Sequence, residues 1–151
     1  MRAGIGIDSH RLAPGRRLLL GGVEIPSELG LAGHSDADVL AHAIIDALLG
    51  AAGMGDIGEH FPDTDPRWKD ADSMALLRDV AARVRAAGHV LLHVDATVMM
   101  ERPKLAPHRE AIRASLGAVL GSVNVKATTG EGMGFVGRGE GVAALAVVTL
   151  G

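Results

Sequence analysis

Only three aromatic side chains, Phe61, Trp68 and Phe135, occur in the 151 residues of this chain. A core without rings has to be filled by Ala, Val, Leu and Ile, and hydrophobic residues make up 48% of the sequence. Small side chains bury less area apiece, so backbones must approach one another closely, which 21 glycines permit. A core of this kind also gains from burial against a partner subunit. The length fits one domain spanning residues 1–151, able to bury roughly 68–70% of its unfolded surface. So high an apolar content excludes intrinsic disorder.

Other counts narrow the function. The absence of Cys excludes disulfide frameworks and thiolate zinc sites and fits a reducing compartment. Fifteen Lys+Arg against 18 Asp+Glu give a net charge of −3, and no basic run interrupts the chain, so nucleic acid is not the expected partner. No apolar run approaches the ~18 residues of a membrane span. Met1-Arg2 leads into strand-like sequence rather than a signal-peptide core. The expectation is a soluble, cytoplasmic protein.

Gly4 to His10 alternates as a strand, with Ile5 and Ile7 on one side and Gly6, Asp8 and His10 on the other. Leu18–Pro26 reads as a hairpin turning at Gly21-Gly22, followed by a loop to Ser35. Ser35-Asp36-Ala37-Asp38 is a helix start signal, and Leu40, Ala41, Ile44, Ile45 and Leu48 give the apolar stripe of a helix that Gly50 and Gly53 stop. Gly53–Pro66 is loop-like. Asp72 or Ser73 can cap a helix to about Ala87, His89–Met100 reads as a strand, and Pro107 suits the first turn of a helix to about Leu116. Val123–Thr129 and Val142–Leu150 complete the strands, the last apolar on both faces as in a central or subunit-facing strand. Strands and helices mix without strict βαβ alternation, which predicts an α+β fold: a mixed sheet with helices packed on one face.

Asp8-x-His10 with His42 is the constellation richest in chemistry. Two imidazoles and a carboxylate suit Zn²⁺ with one position left open. Asp38, His42 and Asp46 share a helix face, so either Asp can accept the second ring N–H of His42. The same residues also read as polar groups at element ends, with Asp8 a turn cap. His34-Ser35, just before the helix, offers an anion site or merely an N-cap. Asp56–Asp65 is acidic and Gly/Pro-punctuated; Asp56 or Asp63 can bind polyol hydroxyls, or the segment is a solvated connector. Thr128-Thr129-Gly130-Glu131 opens a stretch with six glycines in twelve residues, able to cradle phosphates, with Glu131 placed to hold a divalent cation. Gly132–Gly137 formally matches G-x-G-x-x-G, but no helix is expected after it, so a dinucleotide site is rejected. Pro103–Pro107 forms a rigid loop that can frame a flat ring.

Together, Gly6–His10, Gly33–Asp38 with His42, Gly55–Gly58, Phe61–Thr64, Pro103-Lys104, Asn124–Thr129 and Gly134–Gly141 resemble the family of 2-C-methyl-D-erythritol 2,4-cyclodiphosphate synthases, the cyclising enzymes of non-mevalonate isoprenoid synthesis. Each motif is short, but their order and spacing run over nearly the whole chain. The sequence departs from the family's usual residues at Ser9, Leu12 and Gly132, and Glu101 and Arg102 lie where the family varies.

The resemblance implies a homotrimer with active sites between subunits and strands facing the three-fold axis. It implies zinc at Asp8, His10 and His42, and catalytic roles for His34, Thr129 and Glu131. Glu131 would hold a second divalent ion, Mg²⁺ or Mn²⁺. The methylerythritol phosphate part of the substrate would lie near Asp8, His10, His34, Ser35, Asp56, Ile57, Gly58, Phe61, Pro62, Asp63, Thr64 and Asp65. The cytidine would lie against Met100, Pro103, Lys104, Leu105, Ala106, Ala127, Thr128 and Thr129 of the neighbouring subunit. An apolar central cavity, bordered by Phe135, Arg138 and Glu140, would hold an isoprenoid diphosphate. The implied reaction is intramolecular phosphoryl transfer on 4-diphosphocytidyl-2-C-methyl-D-erythritol 2-phosphate, releasing CMP. Two rivals carry the same residues: a zinc phosphohydrolase using water, and a non-catalytic trimer that binds isoprenoid diphosphates.

Overall fold

Alternation of small and branched residues makes the first strand, β1 (Arg2–Pro14), in the computed structural model, which describes residues 1–151. Ile5 and Ile7 point away from the helices and stay 60% and 62% exposed, whereas Gly4 and Gly6 face helix α1 (Val39–Ala52). A Cβ on Gly6 would fall on the carbonyl of Ala43, and one on Gly4 on the carbonyl of Ala47. Strand and helix backbones are therefore in direct contact, as a ring-free core demands. Ten of the 14 residues of α1 are buried, and its only polar side chains are His42 and Asp46.

The main sheet has five strands. At its centre β7 (Gly141–Leu150) runs antiparallel to both β1 and β5 (Leu91–Met99). From Val142 to Leu150 the residues of β7 that face α1 are buried, while Leu145, Val147 and Thr149 on the other face are only half-buried. An edge strand, β4 (Leu29–Ala32), pairs antiparallel with β1, and β6 (Val123–Thr128) pairs parallel with β5. That parallel pair needs a crossover, supplied by α4 (Arg109–Leu120), which packs on β6. Helix α1 lies on β1 and β7, and α3 (Ser73–Ala86) lies on α1. On the opposite face Ile5 pairs with Val147 and Ile7 with Leu145, a half-covered apolar surface. The expected α+β class, with a mixed sheet and helices, is what the chain forms.

The hairpin is also present, as β2 (Leu18–Leu20) and β3 (Val23–Ile25), with Gly21 and Gly22 at φ of 60° and 79°. Several expected boundaries move. Where the sequence reads only as loop before Ser35, β4 forms; four residues are too few to show a period. Helix α1 begins at Val39 with Asp38 as its cap, so Ser35 does not cap it. Helix α4 passes through Gly117 to Leu120, because the buried stripe of Ile112, Leu116 and Leu120 outweighs one glycine. Within the loop-like segments, Ile57–His60 (α2) and Gly134–Gly137 (α5) each make a single helical turn. So short a turn leaves the rejection of a dinucleotide site intact. No helix is long and apolar enough to cross a membrane.

Candidate active site

Two-residue periodicity puts Asp8 and His10 on the α1 side of β1, and His42 reaches them from the first turn of α1. Gly33 makes room: a Cβ there would stand 3.1 Å from the His10 ring. Asp8 Oδ2 lies 2.8 Å from His10 Nε2 and 3.2 Å from His42 Nδ1, and the two ring nitrogens are 3.3 Å apart. A tetrahedral centre with bonds of about 2.0–2.2 Å separates neighbouring ligand atoms by about 3.3 Å, so these three atoms already stand near three corners of one. They are the only group of three or more acidic or imidazole ligands in the chain. The donor set fits zinc: two of the three separations match that spacing, and the Asp8–His10 separation of 2.8 Å is shorter.

Burial pushes the Asp8 carboxyl up, but the hydrogen bonds and charges of His10 and His42 outweigh it and hold the group at about 2. Burial lowers His10, yet the Asp8 hydrogen bond and charge and the Ala32 carbonyl raise it overall. The site is thus an anion pinned between two imidazoles. His10 Nδ1 faces the Ala32 carbonyl at 3.1 Å, which leaves Nε2 for the site.

Sequence spacing offers Asp38 or Asp46 as the second partner of His42, and the structure corrects this. Asp38 is fully buried and accepts from Gly21 N, Gly22 N and Ala41 N at 2.9, 2.7 and 3.0 Å, tying the hairpin to α1. Burial pushes its carboxyl up against those three donors. Asp46 accepts from Ile57 N at 2.9 Å and anchors α2. His42 Nε2 instead meets Ser73 Oγ at 2.7 Å and Ser35 Oγ at 3.2 Å.

A cavity of about 370 Å³ opens over the triad. His34, Ser35, Gly58 and Asp63 border it with the three ligands, and Ile57, Phe61 and Pro62 give it an apolar wall. Trp68 and Leu76 complete that wall, and no motif in the sequence points to either of them. Trp68 meets Phe61 edge-on at 5.0 Å, and its buried indole N–H has no partner. His34 Nε2 lies 3.3 Å from the Asp65 carbonyl. Asp56, Thr64 and Asp65 lie outside the lining: Asp56 caps α2, and Asp65 caps the turn at Pro66 and pairs with Arg67 at 2.7 Å. Ser73, the other residue missed, reads in sequence as a possible helix cap. Asp72 takes that role, which frees the Ser73 hydroxyl for His42.

The second cluster lies elsewhere on the chain. Parallel pairing of β5 with β6 sets Met99 opposite Thr128, so the Met100–Ala106 loop starts beside Ala127–Thr129. Ala127, Thr128, Thr129, Lys104 and Ala106 are exposed, while Met100 and Leu105 are buried. Glu131 is exposed at φ 51°, and its N–H donates to Thr129 Oγ1 at 3.2 Å. Glu101 holds this turn through both carboxylate oxygens, accepting from Gly130 N at 2.8 Å and Gly132 N at 3.0 Å. Phe135 is 43% exposed, and Arg138 pairs with Glu140 at 3.0 Å. None of these residues lines the cavity over Asp8.

The model of the YgbB family matches residues 1–151. The chain is 61% identical, over 154 aligned residues, to the 2-C-methyl-D-erythritol 2,4-cyclodiphosphate synthase of Salinibacter ruber, covering 99% of this chain and 98% of that one. It is 63% identical to the bifunctional enzyme IspD/IspF of Anaeromyxobacter sp., where the match covers 97% of this chain and 39% of that one. A solved 2C-methyl-D-erythritol-2,4-cyclodiphosphate synthase in its CDP-bound form has the same fold, with a TM-score of 0.91 at 44% identity, covering 99% of this chain and all (100%) of that one.

Proposed function

The chain belongs to the YgbB family, and from that membership we propose that it converts 4-diphosphocytidyl-2-C-methyl-D-erythritol 2-phosphate to 2-C-methyl-D-erythritol 2,4-cyclodiphosphate and CMP. An oxygen of the 2-phosphate attacks the β-phosphorus, the bond from that phosphorus to the α-phosphate bridging oxygen breaks, and CMP leaves with the electron pair. The observation that carries this reading is the Asp8–His10–His42 triad, with donor atoms 2.8–3.3 Å apart at the floor of a pocket walled on one side by apolar residues.

The protein need not supply a nucleophile, because the substrate carries its own anion. What the residues must do is hold two anionic groups together and keep water away. Asp8, His10 and His42 are the residues that would hold zinc. Bound there, the ion would supply Lewis-acid polarisation of a phosphate oxygen. His34 and Ser35 at the rim orient the phosphate, and Asp63 takes polyol hydroxyls, with Asp56, Gly58, Thr64 and Asp65 shaping the same loop. Ile57, Phe61 and Pro62 cover the apolar side and exclude bulk water. With a net charge of −3, the chain's overall field does not attract a polyphosphate, so local cations have to do so.

Glu131, exposed and with no ion-pair partner, is the carboxylate that would hold a second ion, Mg²⁺ or Mn²⁺, which would offset phosphate charge. The cytidine would lie on Met100–Ala106 and Ala127–Thr129. These surfaces are absent from the cavity wall of their own chain, which supports the reading that they complete the site of a neighbouring copy. The apolar face of Ile5, Ile7, Leu145 and Val147 suits the interior of a homotrimer, with Phe135 and Arg138 at its end as the place for an isoprenoid diphosphate. Residues 1–151 act as one domain, and cytoplasmic location fits a pathway enzyme of this kind.

The test is to incubate the protein with the diphosphocytidyl substrate and Mg²⁺, with and without chelator, and to identify the products by phosphorus NMR. The cyclic diphosphate plus CMP is expected, and chelation should stop it. CMP with a linear product would show hydrolysis instead, and no turnover would leave only a binding protein.

A further inference from the structure

His42 meets the triad through Nδ1 and the protein interior through Nε2. Which nitrogen carries the proton decides whether His42 can act as a ligand at all, since a metal takes the unprotonated one. The chain of bonds behind His42 settles that choice. Nε2 lies 2.7 Å from the hydroxyl of Ser73, a residue with no solvent exposure. Ser73 Oγ also makes a short hydrogen bond to Asp36 Oδ1. A carboxylate only accepts, so the single Ser73 proton goes to Asp36, and only lone pairs remain for His42. Nε2 must therefore carry an N–H in the neutral as in the protonated ring; the protonated ring also donates from Nδ1 to Asp8, and the neutral ring keeps the Nδ1 lone pair for a metal.

Asp36 is itself held. Its Oδ2 accepts from Ser73 N at 3.0 Å, its Oδ1 from Asp38 N at 3.2 Å, and its own N–H donates to the Ala71 carbonyl at 3.1 Å. Ser35 Oγ, the other oxygen near Nε2, is farther at 3.2 Å and accepts from Ala37 N. His10 obtains the same service from main chain, through the Ala32 carbonyl. The two histidines thus differ: one is oriented by a backbone group that mutation cannot remove, the other by two side chains that it can.

We propose that Ser73 and Asp36 are positioning residues for His42, a relay that fixes its Nε2–H form and presents Nδ1 to the metal. The proposal rests on the reading of Asp8, His10 and His42 as zinc ligands. Removing an outer partner of a histidine ligand weakens metal binding by roughly 10- to 100-fold.

The experiment measures zinc affinity by chelator competition in the parent, Asp8→Asn, Ser73→Ala, Ser73→Thr and Asp36→Asn proteins, each checked for folding by circular dichroism. Ser73→Ala and Asp36→Asn should bind zinc roughly 10- to 100-fold more weakly than the parent. Ser73→Thr, which keeps the hydroxyl, should recover most of the loss. The visible spectrum of the cobalt-substituted proteins should change in the two weakened variants. Folded Ser73→Ala and Asp36→Asn proteins that hold zinc within about threefold of the parent overturn the relay. Long-range ¹H–¹⁵N spectra of the metal-free unmutated protein, at a pH where His42 is neutral, give a second readout, independent of whether any variant folds. An Nε2–H form of His42 supports the relay, and an Nδ1–H form refutes it. A parent that binds zinc no better than Asp8→Asn sinks the metal reading instead, and the relay is then judged on the tautomer alone.

Discussion

The corner formed by Asp8, His10 and His42 is complete within one chain, whereas the turn that carries Thr128, Thr129 and Glu131 is open to solvent. In the first region both ring nitrogens of each histidine and one oxygen of Asp8 have partners, placed by strand register, helix start and the Ser73–Asp36 pair. In the second, Glu101 holds the backbone of the turn, but the side chains that would touch a nucleotide or a cation point outward with nothing opposite them. The difference teaches where the protein does its own organising. One half of the proposed site is built by folding, and the other, on the proposed reading, is completed by substrate and a second copy of the chain.

The largest effect should come from the built half. Asp8→Asn or His42→Ala should lower turnover by about 1,000-fold or more, since a metal stabilises the transition state by several kcal/mol. The assembly should persist, and CMP release is the measurement. Activity that survives chelation contradicts the metal assignment.

Next come two glycines that contrast the regions directly. Gly6→Ala, whose Cβ would strike the α1 backbone, should cost about 3 kcal/mol or more in urea unfolding. Gly132→Ala has open space around it and only its φ of 75° to oppose it, so it should cost about 1–2 kcal/mol. Equal costs would erase the contrast.

Charge gives a third comparison, measurable on metal-free protein. The Asp8 carboxyl, lowered from 3.8 to about 2, contributes stability that is present above pH 4 and lost as pH falls through 2. His10, raised from 6.5, contributes stability that is present below that value and lost as pH rises through its folded value. Stability should therefore be greatest between roughly pH 4 and 6.5, with Asp8 worth about 2 kcal/mol, and Asp8→Asn should flatten the profile. The smallest effect belongs to Glu131→Gln, which should raise the Mg²⁺ or Mn²⁺ requirement by roughly tenfold and leave zinc content unchanged. A divalent-ion titration identical to the parent's would remove Glu131 from that role.

Much of the built half is legible in the sequence because strands repeat every two residues. Asp8 and His10 had to share a face, and the glycines beside them had to face whatever packed closely. The apolar stripe of α1 likewise puts His42 at the start of a helix. What periodicity does not carry is the partner of His42. Helix spacing favours Asp38 and Asp46, yet both are drawn off by backbone N–H groups, Asp38 by the hairpin at Gly21-Gly22 and Asp46 by Ile57. Ser73 stands 31 residues away and looks like a cap, so only the packing of α3 on α1 reveals it. Trp68 escapes notice for the same reason, and β4 because its four residues show no pattern. For the nucleotide half, the family resemblance names residues that the single chain leaves apart from the Asp8 cavity, and the proposed reading assigns the surface they face to another copy.

The most direct test of this division is to co-refold His42→Ala and Glu131→Gln proteins in equal amounts, each of them impaired alone, and to measure CMP release at limiting Mg²⁺. If the two halves of a site come from different copies, random mixing places intact halves together in roughly a quarter of the sites, and that share of parental activity should return. If both halves belonged to one chain, every site would carry a lesion and the mixture would be no more active than the average of its components.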